Sequence, residues 1–279
     1  MVLPVRNNLR NIFFGQPIEF SADNLTLKGS LHRRRHQVHS TDHHPGTAVL
    51  LLHSMGGNRH EASGFYLRLA AELCLEGYDV LRFDFRGCGE SEGTHSDFYP
   101  SNLLKDAQAA MNILLSESNC EHIHLIGYSL GGLIASMLME SHPDKLKSAS
   151  LVQAPFNLSQ ELKRRFPVGR GDFRTTTFIN SPMFRLPERF HEEIEALESR
   201  RNPERPVEIP TGCAPTLVIT GTEDVIVPES NSLTWLDWLQ PQCQKIRHYS
   251  IENADHGFSS EAHMQVCIRR LCEWLSALN

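Results

Sequence analysis

Short unbroken apolar runs alternate along this chain with longer stretches in which apolar residues recur every three or four positions. The runs suit strands buried on both faces, and the longer stretches suit amphipathic helices laid across them. Strand candidates fall at 48–52, 78–85, 122–126, 148–153, 216–220 and 245–251. Two weaker ones, 18–20 and 25–31, precede them and predict an opening hairpin. Helical periodicity covers 61–76, where Ala62, Phe65, Leu69 and Leu73 share a face and Gly77 supplies a stop. It returns from Ser101, placed as an N-cap, to 116, then over 130–140, from Pro228 onward and over 261–277. Strands and helices in alternation predict an α/β fold with a mostly parallel sheet covered on both faces.

The rhythm breaks between 154 and 213. That stretch is too long for a plain crossover. It carries several prolines, the basic run Lys163-Arg164-Arg165, and Phe156, Phe166, Phe173, Phe178, Phe184 and Phe190. We read 154–213 as a cap inserted over the carboxyl edge of the sheet, within one domain spanning 1–279. A structureless loop of that length is uncommon, so it is expected to hold secondary structure of its own.

Composition adds limits to this picture. A chain of 279 residues, 40% of them hydrophobic, can bury one large core. Its formal net charge of -6 argues against a nucleic-acid partner, which calls for a basic face. The local exception, His32 to His44 with its arginines and histidines, lacks regular ligand spacing and is expected to be a solvated loop. The seven cysteines form no CxxC pair, and several sit in apolar stretches, as free thiols in a reducing, cytoplasmic setting do. Cys88, in a glycine-rich loop, is the one candidate for exposure at an active site. Arg6 and Arg10 interrupt the region where a signal peptide needs an apolar core, and no run approaches the roughly 20 apolar residues of a membrane span.

The chemistry concentrates in Gly127-Tyr128-Ser129-Leu130-Gly131, a GxSxG set between a strand and a helix. A nucleophile elbow needs small residues on both sides of its serine, because the turn is strained and the helix packs close to the strand. A serine hydroxyl needs a base to take its proton. Of the 15 histidines, His256 lies after the last strand and before the last helix, at the sheet edge that also carries Ser129. An orienting acid belongs between them in chain order, and Asp224, after strand 216–220, is the choice over its neighbour Glu223. Asp255 is adjacent to His256 in sequence, too close for a comfortable hydrogen bond between the two side chains. Two N–H donors must meet the oxyanion. Leu130 follows the nucleophile, and Met55 lies in the loop His53-Ser54-Met55-Gly56-Gly57. The loop Asp84 to Ser91 spaces its glycines wrongly for a dinucleotide and is expected to brace the site.

In order, HSMGG, DFRGCGES, GYSLGG, GTEDVIVP and NADHGF resemble the α/β-hydrolase superfamily along nearly the whole chain, nearest to bacterial cinnamoyl-esterase-like and serine-aminopeptidase-like hydrolases. The resemblance implies an eight-stranded sheet, a cap after the sixth strand, and no metal or organic cofactor. It marks Ser129, Asp224 and His256 as the triad, with Met55 and Leu130 as oxyanion donors. One departure stands out: these families usually have His-Gly where this chain has His53-Ser54. Serine is less free than glycine at unusual backbone angles, so the oxyanion loop is expected to be shifted. The expected reaction is hydrolysis of carboxylic esters of small or aromatic acyl substrates, with the cap phenylalanines as an apolar or aromatic acyl pocket or as packing between cap and body. A thioesterase, peptidase or acyltransferase would use the same triad. A non-catalytic binding protein on this fold would have no need of all three residues.

Overall fold

A computed structural model describes residues 13–34, 47–165, 186–201 and 212–278. The predicted alternation is realised as one eight-stranded sheet in the order β1-β2-β4-β3-β5-β6-β7-β8. β1 (Gln16–Ala22) and β2 (Leu25–His32) form the antiparallel opening hairpin, and β2 pairs antiparallel with β4 (Asp79–Phe83). The remaining pairs are parallel: β4 with β3 (Thr47–Leu52), then β5 (His122–Tyr128), β6 (Leu146–Val152), β7 (Thr216–Gly221) and β8 (Ile246–Ile251).

The apolar runs alternate their side chains between two cores, as period-two strands buried on both faces must. Val49, Leu51, Val80, Ile126, Leu217 and Ile219 pack with α1 (Phe65–Leu75) and α7 (Glu261–Ser276). Leu50, Leu52, Leu81, Leu125, Leu151 and Val218 face α2 (Pro100–Ser118), α3 (Leu130–Ser141) and α6 (Ser230–Leu239). Two helix starts differ from the sequence reading. The helix expected from 61 begins at Phe65, because Glu61 (φ 60°), Ser63 (φ 54°) and Gly64 (φ 71°) all take positive φ and cannot join a right-handed helix. Ser101 is not an N-cap: Pro100 occupies the first helical position, where its missing N–H costs nothing. Ser101 instead gives its N–H and hydroxyl to Glu193, at 2.7 and 2.9 Å.

Glu193 lies on α5 (Glu188–Arg200), which with α4 (Leu158–Arg165) fills the described part of the insertion after β6. The same helix supplies Glu198, whose carboxylate takes the Ser159 N–H at the start of α4. Behind α5, buried Arg201 reaches Glu140 and Ser136 on α3 and lies over the rings of Trp235 and Trp238. Of the cap phenylalanines, Phe156 sits edge-on to Trp235 (4.8 Å, 77°) and Phe190 stacks on Phe98 (6.2 Å, 11°). Both are buried in the body's core, so for these two the packing role holds. Phe166, Phe173, Phe178 and Phe184 lie outside the described residues, as do 35–46 of the histidine-rich stretch. The start of that stretch is not a solvated loop, since His32 is buried at the end of β2, where its Nε2 accepts from Arg82 Nε at 2.9 Å.

The cysteine expectation needs correcting at one pair. Cys213 and Cys243 form a disulfide, 30 residues apart, where a parallel bridge extends the pairing of β7 with β8. Cys74, Cys88, Cys267 and Cys272 are buried free thiols. Among the described residues no helix is long and apolar enough to cross a membrane.

Candidate active site

Parallel strands deliver their following loops to one edge of the sheet, and register decides which residues meet there. Leu52 pairs with Gly127, Tyr128 with Val152, Val152 with Ile219, and Gly221 with Ile251. The loops that begin at His53, Ser129, Gln153, Thr222 and Glu252 therefore lie side by side. Ser129 itself stands at φ 53°, ψ −121°, between strand and helix, with its N–H on the Val152 carbonyl at 2.8 Å. A non-glycine residue keeps such a conformation only where its surroundings over-determine it. Close approach explains the flanking glycines. A Cβ on Gly127 would lie 2.3 Å from the Gly131 carbonyl oxygen, and one on Gly131 would lie 2.0 Å from that of Leu52. The start of α3 is thus pressed against the end of β3.

His256 joins the other two predicted residues. Its Nδ1 is 2.6 Å from Asp224 Oδ2, and its Nε2 is 3.0 Å from Ser129 Oγ. A carboxylate can only accept, so Nδ1 carries the proton and Nε2 is free to accept the Ser129 hydroxyl. Asp224 is held in turn by the N–H groups of Ile226 and Val227 on Oδ1, both at 2.8 Å. Asp224 and His256 are buried, and Ser129 is half-buried. The two rejected acids go elsewhere: Glu223 is exposed, and Asp255 takes the Ser259 N–H at 2.8 Å.

The expected oxyanion donors occupy adjoining loops. Leu130 is the first residue of α3, so its N–H has no acceptor within the helix. For Met55 the decisive bonds are made by its neighbours. His53 Nε2 accepts the Phe85 N–H at 2.9 Å, so Nδ1 bears the hydrogen and donates it to the Ser54 carbonyl at 2.8 Å. Gly57 N–H donates to the same oxygen at 3.1 Å. Since the peptide is planar and trans, fixing that carbonyl fixes the direction of the Met55 N–H opposite to it. Burial lowers the His53 pKa, which keeps the ring neutral and this tautomer intact. Ser54 is absent from the residues with positive φ, so its backbone conformation asks for no glycine.

Four residues that sequence reasoning did not single out brace these loops: His53, Glu61, Tyr128 and Gln153. Glu61 takes both the N–H and the hydroxyl of Ser54. Tyr128 donates its hydroxyl to the His256 carbonyl. Gln153, at φ 51°, accepts the Gly221 N–H at 2.9 Å and donates to the Asp255 carbonyl at 3.0 Å. The glycine spacing of HSMGG hinted at His53, but nothing local in the sequence marks the other three. Cys88 is a correction. It is buried, not presented to the site, and burial pushes its thiol up to about 12. Its loop does brace the site edge, through Phe85 on His53 and through Asp84, which binds the Arg59 side chain and backbone.

The family model of the alpha/beta hydrolase fold matches residues 47–206. The chain belongs to that family. Lysophosphatidylserine lipase ABHD12 of Xenopus tropicalis is 30% identical over 122 residues, 41% of this chain and 29% of that protein. Lipase 1 of Psychrobacter immobilis is 32% identical over 109 residues, 39% of this chain and 32% of that one. The matched part thus spans about a third or less of these relatives. Among solved structures, Est1E from Butyrivibrio proteoclasticus with ferulic acid bound superposes at a TM-score of 0.71 with 16% identity, covering 94% of this chain and 98% of that one. Mouse alpha/beta hydrolase domain-containing protein 10 gives 0.72 at 18%, covering 95% and 100%. At such identities the likeness speaks for the fold.

Proposed function

We propose that this α/β-hydrolase cleaves small carboxylic esters through Ser129, with His256 as general base and Asp224 as its orienting acid. The observation that carries the reading is His256 bridging Asp224 at 2.6 Å and Ser129 at 3.0 Å. Names among the relatives and neighbours point the same way: two are lipases, and Est1E binds ferulic acid.

In the proposed reaction Ser129 Oγ attacks the ester carbonyl as its proton passes to His256 Nε2. Asp224 steadies the imidazolium through Nδ1, and the N–H groups of Met55 and Leu130 take the charge on the carbonyl oxygen. His256 then returns the proton to the leaving alcohol. A water molecule, deprotonated by the same nitrogen, releases the acid from the Ser129 acyl-enzyme. The chain's own residues suffice for each proton transfer. The insertion 154–213 would act as a cap over this edge, anchored through Arg201 on α3.

The test is hydrolysis of a chain-length series of p-nitrophenyl and aryl esters by the wild type and by Ser129→Ala. Turnover that disappears in the variant, with fluorophosphonate labelling of Ser129 in the wild type, is the expected result. Failure of every ester and of the label would overturn the reading and leave the non-catalytic binding protein. Product analysis with a competing alcohol separates hydrolysis from acyl transfer.

A further inference from the structure

Glu61 lies in the loop before α1, and its carboxylate occupies the remaining polar groups of Ser54. Oε1 accepts the Ser54 N–H, and Oε2 accepts the Ser54 hydroxyl at 3.0 Å. The Ser54 carbonyl is already held by His53 and Gly57. Residue 54 is therefore tied at its N–H, its side chain and its carbonyl. The peptide unit that begins at that carbonyl carries the Met55 N–H.

Two independent features fit this arrangement. Glu61 stands at φ 60°, ψ 170°, a region occupied almost only by glycine, and non-glycine residues found there cluster at functional sites. The cavity around the clamp is also filled to contact: a Cβ on Gly57 would lie 2.7 Å from Ser54 Oγ and 3.1 Å from Glu61 Oε1. A glycine at 54 would leave Oε2 without its hydroxyl partner, so the serine at this position and the acid at 61 act as a pair.

We propose that Glu61 is a positioning residue for the ester hydrolysis, clamping Ser54 so that the Met55 N–H is aimed at the developing oxyanion. This role rests on the proposed function. It places the glutamate's action in the chemical step, because an N–H aimed at the oxyanion matters more in the transition state than in substrate binding. Burial pushes the carboxyl up to about 7 against the opposing pull of its bonds from Ser54 and Ala62. The titratable groups around it are Tyr66 on α1, Tyr128 on β5 and Cys88 after β4, each kept neutral by its own burial. Protonation turns one carboxylate oxygen into a donor that the Ser54 hydroxyl can accept, while the other oxygen keeps the Ser54 N–H, so the clamp holds in either state.

The experiment compares wild type, Glu61→Gln, Glu61→Ala, Ser54→Ala and the double alanine variant on one aryl ester, with folding checked by circular dichroism. For Glu61→Ala, kcat should fall about 10- to 100-fold, part of the 10²–10³ that a single oxyanion donor is worth, while KM stays within about twofold. Glu61→Gln should recover most of that loss, since its amide oxygen still accepts the Ser54 N–H. The two alanine changes should combine less than multiplicatively. If the alanine variant does not fold, the Gln variant and Ser54→Ala carry the test. Unchanged kcat in every variant, beside a wild type active through Ser129, would overturn this role alone. A wild type with no Ser129-dependent turnover would overturn the role together with the proposed function.

Discussion

Tyr128 donates its phenolic hydroxyl to the backbone carbonyl of His256. Tyr128 is the last residue of β5 and the one before Ser129, so a single side chain ties the strand leading into Ser129 to the loop of His256. Burial holds the phenol well above its ordinary pKa, so this donor stays protonated across the working range. Tyr128→Phe keeps the ring packing against Phe65 and His256 and removes only the hydrogen bond to that carbonyl. Removing one partner of a buried hydrogen bond costs about 1–3 kcal/mol. We expect a loss of that size in urea unfolding, and a fall in kcat on the order of tenfold as the His256 loop relaxes. A kcat equal to wild type would mean that Asp224 alone positions the imidazole.

Gln153 makes the complementary tie. Its amide bridges Gly221, at the end of β7 before Asp224, and Asp255, just before His256. Replacement by leucine, of similar volume, removes both bonds at once and strands a donor and an acceptor. Destabilisation of about 2 kcal/mol or more is expected, with kcat falling further than KM rises, because the change alters the distance between Asp224 and His256. Steady-state kinetics and thermal unfolding of the one variant check both parts.

These two residues show what a linear reading can reach. The elbow was legible because a Cβ at 127 or 131 would lie 2.0–2.3 Å from a backbone carbonyl oxygen, which leaves no choice but glycine, and that constraint is written at fixed spacing around Ser129. His256 and Asp224 were legible because parallel strands put their following loops on one edge in chain order. Gln153, Tyr128 and Glu61 were not, since their partners lie in other loops and the contacts depend on strand register or on an uncommon φ. Cys213 and Cys243 meet for the same reason, through the register of β7 with β8. Cys88 misled because a glycine-rich loop suggests exposure, whereas this one turns inward, its N–H returning to the Phe85 carbonyl at 3.0 Å.

Glu61 also predicts a pH dependence of stability. Its carboxyl titrates near 7 in the folded protein and near 4.5 when unfolded, because burial disfavours its charge. The folded state therefore binds more protons between those values, and stability is lost as the pH rises from 4.5 through 7, then levels off. At 1.36 kcal/mol per pH unit the full effect is roughly 3 kcal/mol, which partial exposure of the residue brings down to about 1–2. Glu61→Gln does not titrate, so this part of the slope should vanish, and relative to wild type the variant should gain stability at pH 8 over pH 5. Urea unfolding of both proteins at the two pH values measures it. A more stable but slower Gln variant is the expected combination, and identical slopes would show that the carboxyl titrates near its ordinary value.

Arg201 is a buried charge whose removal has a readable outcome. Its side chain is 2% exposed, bonded to Glu140 and Ser136 and set over Trp235 and Trp238 at 5.2 and 5.0 Å. Burial lowers its pKa against the opposing pull of Glu140, which marks a costly site for a cation. Breaking such a pair from one side leaves the partner uncompensated, at about 3–5 kcal/mol for full burial and less here, since Glu140 keeps 26% of its side chain exposed. We expect Arg201→Met to lose about 2 kcal/mol, and Arg201→Met with Glu140→Gln to regain much of it, because the methionine fills the space between the indoles and no charge is left behind. Activity separates a packing role from control of the insertion. Arg201 follows α5 directly, so release of that helix should raise KM and open 186–201 to limited proteolysis while kcat for a small aryl ester stays near wild type. A fall in kcat with KM unchanged would instead place its effect on α3 and the Ser129 elbow at that helix's start.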